Sequence, residues 1–214
     1  ATEPSKNFGT LEEAFIQASM KAGHMFIDDF NGPFRTGAGR TDSTIKNGIR
    51  QSSNIAYLGT KPRNLTIFKN CHVKRILIYK DQAIGIETVE GNKIYAEEEV
   101  ILCQGAFGTP QTLLLSGIGP ESQLKNLNIP VYVNAPGVGE NLADHVDVSM
   151  QYGSTRKDLS LARFQRLDKA IYLMARWLLL KSGPGSGAFF STVIFHAFED
   201  TSFPELQIYM TPMI

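Results

Sequence analysis

Three places in the chain hold residue types that could do chemistry. Asp144-His145 sets a carboxylate beside an imidazole, the ingredients of a general base and the group that orients it. Asp28-Asp29 offers paired carboxylates for a metal or for acid–base work. No His, Cys or Glu stands at ligand spacing around them, however, and Asn31-Gly32-Pro33 follows, so they read as solvated turn residues. The third place is the run from Val100 to Gly119. Val100 to Cys103 is continuously apolar and predicts a buried parallel strand, with Cys103 an inert core thiol. Gly105 and Gly108 follow, then Thr109 as helix cap and Pro110 at the first helical position, with Leu113, Leu114 and Leu115 on an apolar face and Ser116-Gly117 as the stop. A strand, a glycine turn and a helix N-terminus together make a geometry suited to anions and nucleotides.

The elements that must position these residues are legible in order. Thr10 caps a helix with Ala14, Phe15, Ala18 and Ala22 on one face, closed by Gly23. Gly37-Ala38-Gly39-Arg40 looks like a glycine cradle but lacks GxGxxG spacing and a preceding strand. Pro62 to Phe68, Asn70 to Tyr79, Ala83 to Val89 and Lys93 to Ala96 predict strands, with hairpin turns at Lys80-Asp81-Gln82 and Glu90-Gly91-Asn92-Lys93. Glu97-Glu98-Glu99 reads as a solvated charge run. A short helix is expected from Gln123 to Ile129 and a strand from Val131 to Val133. Alternation of Val146, Val148 and Met150 predicts another strand, and residues 161–181 the longest helix, with Leu167, Ala170, Ile171, Met174 and Leu178 on one face. Two further strands are expected, Phe189 to Phe198 and Glu205 to Met210.

Composition narrows the classes of partner. The 214 residues are 43% hydrophobic and 20% charged, ordinary for a globular protein. Lys+Arg 21 balances Asp+Glu 21, which gives no reason to expect nucleic acid. Two cysteines, Cys71 and Cys103, make no disulfide framework. No apolar run reaches the roughly 20 residues of a membrane-spanning helix, since Ala170 to Leu180 is short and interrupted by Arg176.

Two longer motifs carry a resemblance. Gly105-Ala106-Phe107-Gly108-Thr109-Pro110-Gln111, continued by Ser116-Gly117-Ile118-Gly119-Pro120, resembles the second diagnostic motif of the glucose–methanol–choline (GMC) oxidoreductases, which are FAD-dependent. Pro136-Gly137-Val138-Gly139-Glu140-Asn141-Leu142-Ala143-Asp144-His145 resembles that family's PGVGxNLxDH segment. Thr112 departs, standing where the family usually has an aliphatic residue. Lys46-Asn47-Gly48-Ile49-Arg50 leading to Ser53-Asn54-Ile55-Ala56-Tyr57-Leu58 agrees in order and implies a positioning role.

The resemblance implies a mixed α/β (α+β) fold. Residues 1–145 would be part of a Rossmann-like FAD-binding domain with a β insertion, and 146–214 the start of a substrate domain built on an antiparallel sheet. It places Val73 at the adenine, and Gly105, Ala106, Thr109, Asn141 and Leu142 near the flavin. Phe190 and Ser191 would lie toward the substrate. Choline-type members put a carboxylate directly after the second aromatic, so Ser191 there argues against a quaternary ammonium substrate. The implied cofactor is FAD and the implied partners are a small-molecule alcohol and an electron acceptor (a quinone, a dye-like acceptor or oxygen). GxGxxG is not found upstream, and none of His24, His72, His145 and His196 matches the family's catalytic histidine. The expectation is therefore a central fragment that by itself neither holds FAD well nor turns over, from a parent in the cytoplasm or at a membrane periphery. The alternatives are a non-catalytic flavoprotein remnant or nucleotide-binding module, and a hydroxynitrile lyase on the same fold.

Overall fold

The computed structural model describes residues 3–4, 9–59, 62–156, 159, 161–188, 190–199 and 203–212. They form two compact units, one from residues 1–63 with 150–214, the other from 64–149. The expected boundary near residue 145 differs from this division, because strands from both ends of the chain share one sheet.

In the first unit, β1 (Glu3–Pro4) precedes α1 (Thr10–Lys21), β2 (Phe26–Ile27), β3 (Gly37–Arg40), β4 (Asp42–Ser43), the hairpin strands β5 (Ile45–Lys46) and β6 (Ile49–Arg50), and α2 (Ser53–Leu58). α1 buries Glu12, Ile16 and Ser19. That stripe is rotated from the predicted Ala face, because Ile16 is the one branched aliphatic that reaches the sheet core. Thr10 is the first helical residue rather than the cap; Gly9 holds the cap position. Gly37-Ala38-Gly39 is no cradle. It is the buried middle of a four-stranded sheet, parallel to β2, with Phe26 opposite Ala38 and Ile27 opposite Gly39. The reason is steric: a Cβ on Gly39 would sit 2.1 Å from the Ile27 carbonyl oxygen, and one on Gly37 2.5 Å from that of Met25. Asp28 and Asp29 are exposed, and Asp29 Oδ1 accepts from the Asn31 N–H at 2.8 Å, the expected turn.

The second unit is built on a meander of β7 (Val73–Tyr79), β8 (Gln82–Thr88) and β9 (Lys93–Tyr95). Its first turn carries Lys80 and Asp81 at φ 46° and 63°, the left-handed pair that matches strand twist. Residues 62–68, predicted as a strand, form none; Leu65, Ile67 and Phe68 are exposed. After the meander come α3 (Gly105–Leu115), β10 (Ile118–Gly119), α4 (Glu121–Asn126) and β11 (Val133–Asn134), with β10 parallel to β11. Val100 to Cys103 is a correction. It forms no strand, Ile101 is 73% exposed and Cys103 is exposed rather than a core thiol. An apolar run reports a preference for burial, and among the described residues no strand pairs with it. The alternating segment at Val146 to Met150 is likewise irregular and exposed.

Returning to the first unit, α5 (Leu167–Leu180) follows a 3-10 turn at Leu161–Phe164, shorter than the predicted 161–181. β12 (Thr192–His196) and β13 (Leu206–Tyr209) complete the sheet in the order β13-β12-β3-β2. Both are narrower than predicted, and Phe189 lies outside the described residues. Ala38, Val193, Ile194 and Ile27 form the core, and Phe30 packs edge-on against Phe195 at 5.1 Å.

Candidate functional site

The central helix is held at its C-terminal end. Ser116 is 4% exposed; its Oγ accepts from the Ile76 N–H of β7 at 2.8 Å and donates to the Thr112 carbonyl. One hydroxyl therefore couples α3 to the strand that starts at Val73. Thr112, the residue that departs from the motif, is buried at this joint and supplies it through its backbone. β10 and β11 continue the support, with Gly117 at φ 81° and its Cα pressed against the Pro130 carbonyl.

The N-terminal end of α3 is open. The helix begins at Gly105, five residues before the predicted first helical position, so Pro110 lies inside it. Thr109 still serves the helix start from within: its Oγ1 accepts from the Gln104 N–H at 3.2 Å. Pro110 is the sixth residue of the helix, so its ring removes the bond that an N–H there would make to the Ala106 carbonyl. Gly105 sits at φ 77°, and a Cβ on it would meet nothing within 4 Å. A helix leaves its first N–H groups without intrahelical carbonyl partners, and here the Thr109 hydroxyl takes up that of Gln104.

A cavity of about 660 Å³ runs along α3 from Ala106 at this end to Leu115 at the other, where Leu127 and Ile129 also line it. One wall is α3, with Ala106, Phe107, Pro110, Gln111 and Leu114; the other is the segment Gly139 to Ala143. Asn141 adopts φ 55°, a left-handed conformation that Asn adopts at little cost, and it bends the chain along the cavity. The structure thus brings Ala106, Asn141 and Leu142 together, with Gly105 adjoining in sequence and Thr109 turned back to the helix start. Val73 lies on the meander of the same unit, half-buried and opposite Thr88, outside the cavity lining. Phe107, Gln111 and Leu114 were not singled out from sequence. Their i, i+4, i+7 spacing marks one helical face and was the available signal.

Asp144 and His145 form no base–orienter pair. Asp144 Oδ1 accepts from the His145 backbone N–H at 2.7 Å, and both residues are exposed. Among the described residues no group of three or more His, Cys, Asp or Glu side chains could hold a metal.

The two substrate-side candidates belong to the first unit and are unlike one another. Phe190 is 50% exposed and meets Tyr209 edge-to-face at 4.8 Å. Its carbonyl accepts from Thr41 Oγ1 at 2.6 Å. Ser191 is 1% exposed, its carbonyl accepts from the Thr41 N–H, and its Oγ has no hydrogen-bond partner among the described residues; Thr192 Oγ1 is in the same condition. A buried hydroxyl left unpaired costs about 1–3 kcal/mol.

The chain as a whole is similar to known proteins. The family model described as GMC oxidoreductase matches residues 1–147. An oxygen-dependent choline dehydrogenase of Photobacterium profundum is 38% identical over 94% of the chain, which covers 36% of that protein. The mitochondrial choline dehydrogenase of Homo sapiens is 36% identical over 94% of the chain and 35% of its own length. The chain therefore spans about a third of the length of the curated relatives it matches. Among solved structures, a formate oxidase of Aspergillus oryzae superposes with a TM-score of 0.73 at 27% identity, over 91% of this chain and 34% of the other. An FAD-dependent oxidoreductase from Chaetomium thermophilum, at 23% identity and a TM-score of 0.76 over 91% of this chain and 36% of its own, shares the fold.

Proposed function

Since the chain belongs to the GMC oxidoreductase family, we propose that it forms part of an FAD-dependent oxidoreductase acting on CH–OH groups. The observation that carries this reading is the cavity along α3, where the two motif segments meet. Its residues suit a ligand that is apolar over much of its length and anionic elsewhere. Phe107, Leu114 and Leu142 supply an apolar wall, the first turn of α3 supplies N–H groups without intrahelical partners, and Gly105 leaves backbone accessible. FAD meets that description, and when bound it supplies a hydride acceptor for the carbinol carbon.

The roles of this chain are binding and exclusion. Ala106, Asn141 and Leu142 hold the cofactor, Gly105 and Thr109 shape the helix start, and Val73 serves the adenine from β7. The apolar wall keeps water from the reacting carbon. Phe190 and Ser191 lie on the substrate side, in a unit of their own with part of the N-terminal chain, while residues 64–149 carry the cofactor contacts. Ser191 stands where choline-type members carry a carboxylate, and without that charge the substrate is a neutral alcohol rather than choline. The named relatives act on choline or formate in their own right, and they support the chemistry without fixing the substrate here. Proton removal is assigned to none of the four histidines of this chain.

The test is the polypeptide extended to the length of its relatives, purified and examined for flavin absorbance. A yellow product bleached anaerobically by neutral primary alcohols, and poorly by choline, is the expected result. A product that stays colourless after incubation with FAD would overturn the proposal, and bleaching by choline in preference to neutral alcohols would overturn the substrate assignment.

A further inference from the structure

Phe190 is held by its backbone as well as by its ring. β3 and β12 pair antiparallel with Arg40 opposite Thr192, and Thr41, the next residue along, continues that pairing past its last position. The Thr41 N–H donates to the Ser191 carbonyl at 3.1 Å, and Thr41 Oγ1 donates to the Phe190 carbonyl at 2.6 Å. One threonine therefore holds two successive carbonyls, the hydroxyl bond joining residues 149 positions apart.

The hydroxyl bond is the one that sequence context does not require. A ladder uses the N–H, which every residue but proline supplies. Phe190 stands two residues before β12 begins at Thr192, where strand pairing no longer fixes the chain, and there a side-chain donor takes over. From the other side Tyr209 of β13 meets the Phe190 ring at 4.8 Å, edge to face. Ser191 is buried and Phe190 half-exposed, so the phenyl ring is what this stretch presents.

We propose that Thr41 is a positioning residue of the substrate side: its hydroxyl fixes the Phe190 backbone and so sets where the phenyl ring receives the apolar arm of a neutral alcohol. This rests on the reading of Phe190 as a substrate-side residue and adds to it the residue that holds it in place. A phenyl ring has neither charge nor hydrogen-bond donor, so it selects by contact area. An alkyl or aryl arm gains from it, and an alcohol too small to reach it gains nothing.

Two variants test the hydroxyl. Thr41→Val removes it and keeps the N–H; Thr41→Ser keeps both donors. In the 214-residue chain, amide exchange across Phe190 to Thr192 should speed about three- to tenfold in Thr41→Val, the worth of one hydrogen bond, and stay at the parent rate in Thr41→Ser. In the polypeptide at its relatives' length, loaded with FAD, Thr41→Val should raise KM for benzyl alcohol about three- to tenfold, while kcat, flavin content and KM for ethanol hold within about twofold. Thr41→Ser should keep the parent KM. A residue that merely supported the fold would move both alcohols, or the flavin content, together. Unchanged exchange, an unchanged KM for benzyl alcohol in a yellow enzyme, equal rises for both alcohols, or Thr41→Ser as impaired as Thr41→Val would each overturn the inference. A parent polypeptide that takes up no flavin would overturn the reading beneath it, and the inference with it.

Discussion

Ser116→Ala tests the joint on which the second unit turns. The hydroxyl accepts from the Ile76 N–H at 2.8 Å, in a region where Ser116 is 4% and Ile76 7% exposed. Alanine removes the acceptor and leaves that N–H buried without a partner, at a cost of about 1–3 kcal/mol. The Thr112 carbonyl is not orphaned in the same way, because the Ser116 backbone N–H still reaches it at 3.1 Å. The loss is therefore one unsatisfied donor, about 2 kcal/mol. Urea unfolding followed by far-ultraviolet circular dichroism measures it, with Trp177 emission as a separate report on the first unit. Thr112→Val is the control, since the joint uses the backbone of Thr112; it should change stability by less than about 0.5 kcal/mol. A loss below about 0.5 kcal/mol for Ser116→Ala would refute the reasoning, for the Ile76 N–H would then have found water or another acceptor.

Three further outcomes follow from particular contacts. Gly39→Ala puts a methyl 2.1 Å from the Ile27 carbonyl oxygen and should destabilise the first unit by about 3 kcal/mol or more, seen as an early Trp177 transition in urea; an unchanged midpoint would contradict the strand pairing. Glu87 accepts from Arg75 at 2.6 Å and 2.9 Å and lies 3.5 Å from Lys74, and the Arg75 bond above all holds its carboxyl below the ordinary value of 4.5. Because the folded pKa is depressed, its stabilisation is complete above about pH 4.5 and disappears as pH falls through the folded value, so Glu87→Gln should flatten the acid limb of the stability curve; identical limbs in variant and parent would refute it. Gly137→Ala meets nothing within 4 Å and needs no left-handed backbone, so urea stability should hold or rise slightly, while flavin retention by the full-length polypeptide should fall; loss of stability would show a structural role for Gly137 instead.

Local chemistry was legible in the sequence and long-range partnership was not. Asp81 and Gly91 mark hairpins because the left-handed backbone they adopt is one those residue types tolerate by themselves. Ala106, Asn141 and Leu142 could be gathered from their motifs, and the structure sets them around one cavity. Gly37 to Arg40 could not be recognised as a central strand, since its glycines are required by the approach of Ile27 and Met25 rather than by any periodicity. Likewise α5 is fastened by a bond between Trp177 and a carbonyl 129 residues away, while Leu167, Ile171, Met174 and Leu178 of its predicted face stay exposed. Val100 to Cys103 failed for the opposite reason: its composition names a buried environment, but a strand also needs a neighbour with which to exchange hydrogen bonds.

The glycines separate what the chain needs for itself from what it holds open. A Cβ on Gly39, Gly117 or Gly85 would sit 2.1 or 2.2 Å from a carbonyl oxygen, so packing accounts for these glycines. Gly23 and Gly91 meet nothing, but both have positive φ in surface turns, and conformation alone accounts for those. Gly105 has a positive φ and also stands at the free end of α3, next to the cavity. Gly137 has neither the clash nor the left-handed backbone, and it lies two residues before the cavity wall begins at Gly139. Neither packing nor backbone conformation within the chain requires glycine there. A side chain there would enter open space two residues before the segment that lines the cavity. Clamped at Ser116 and open at Gly105, the helix is rigid where it meets protein and uncommitted where it would meet a ligand, the arrangement an anion-holding helix requires.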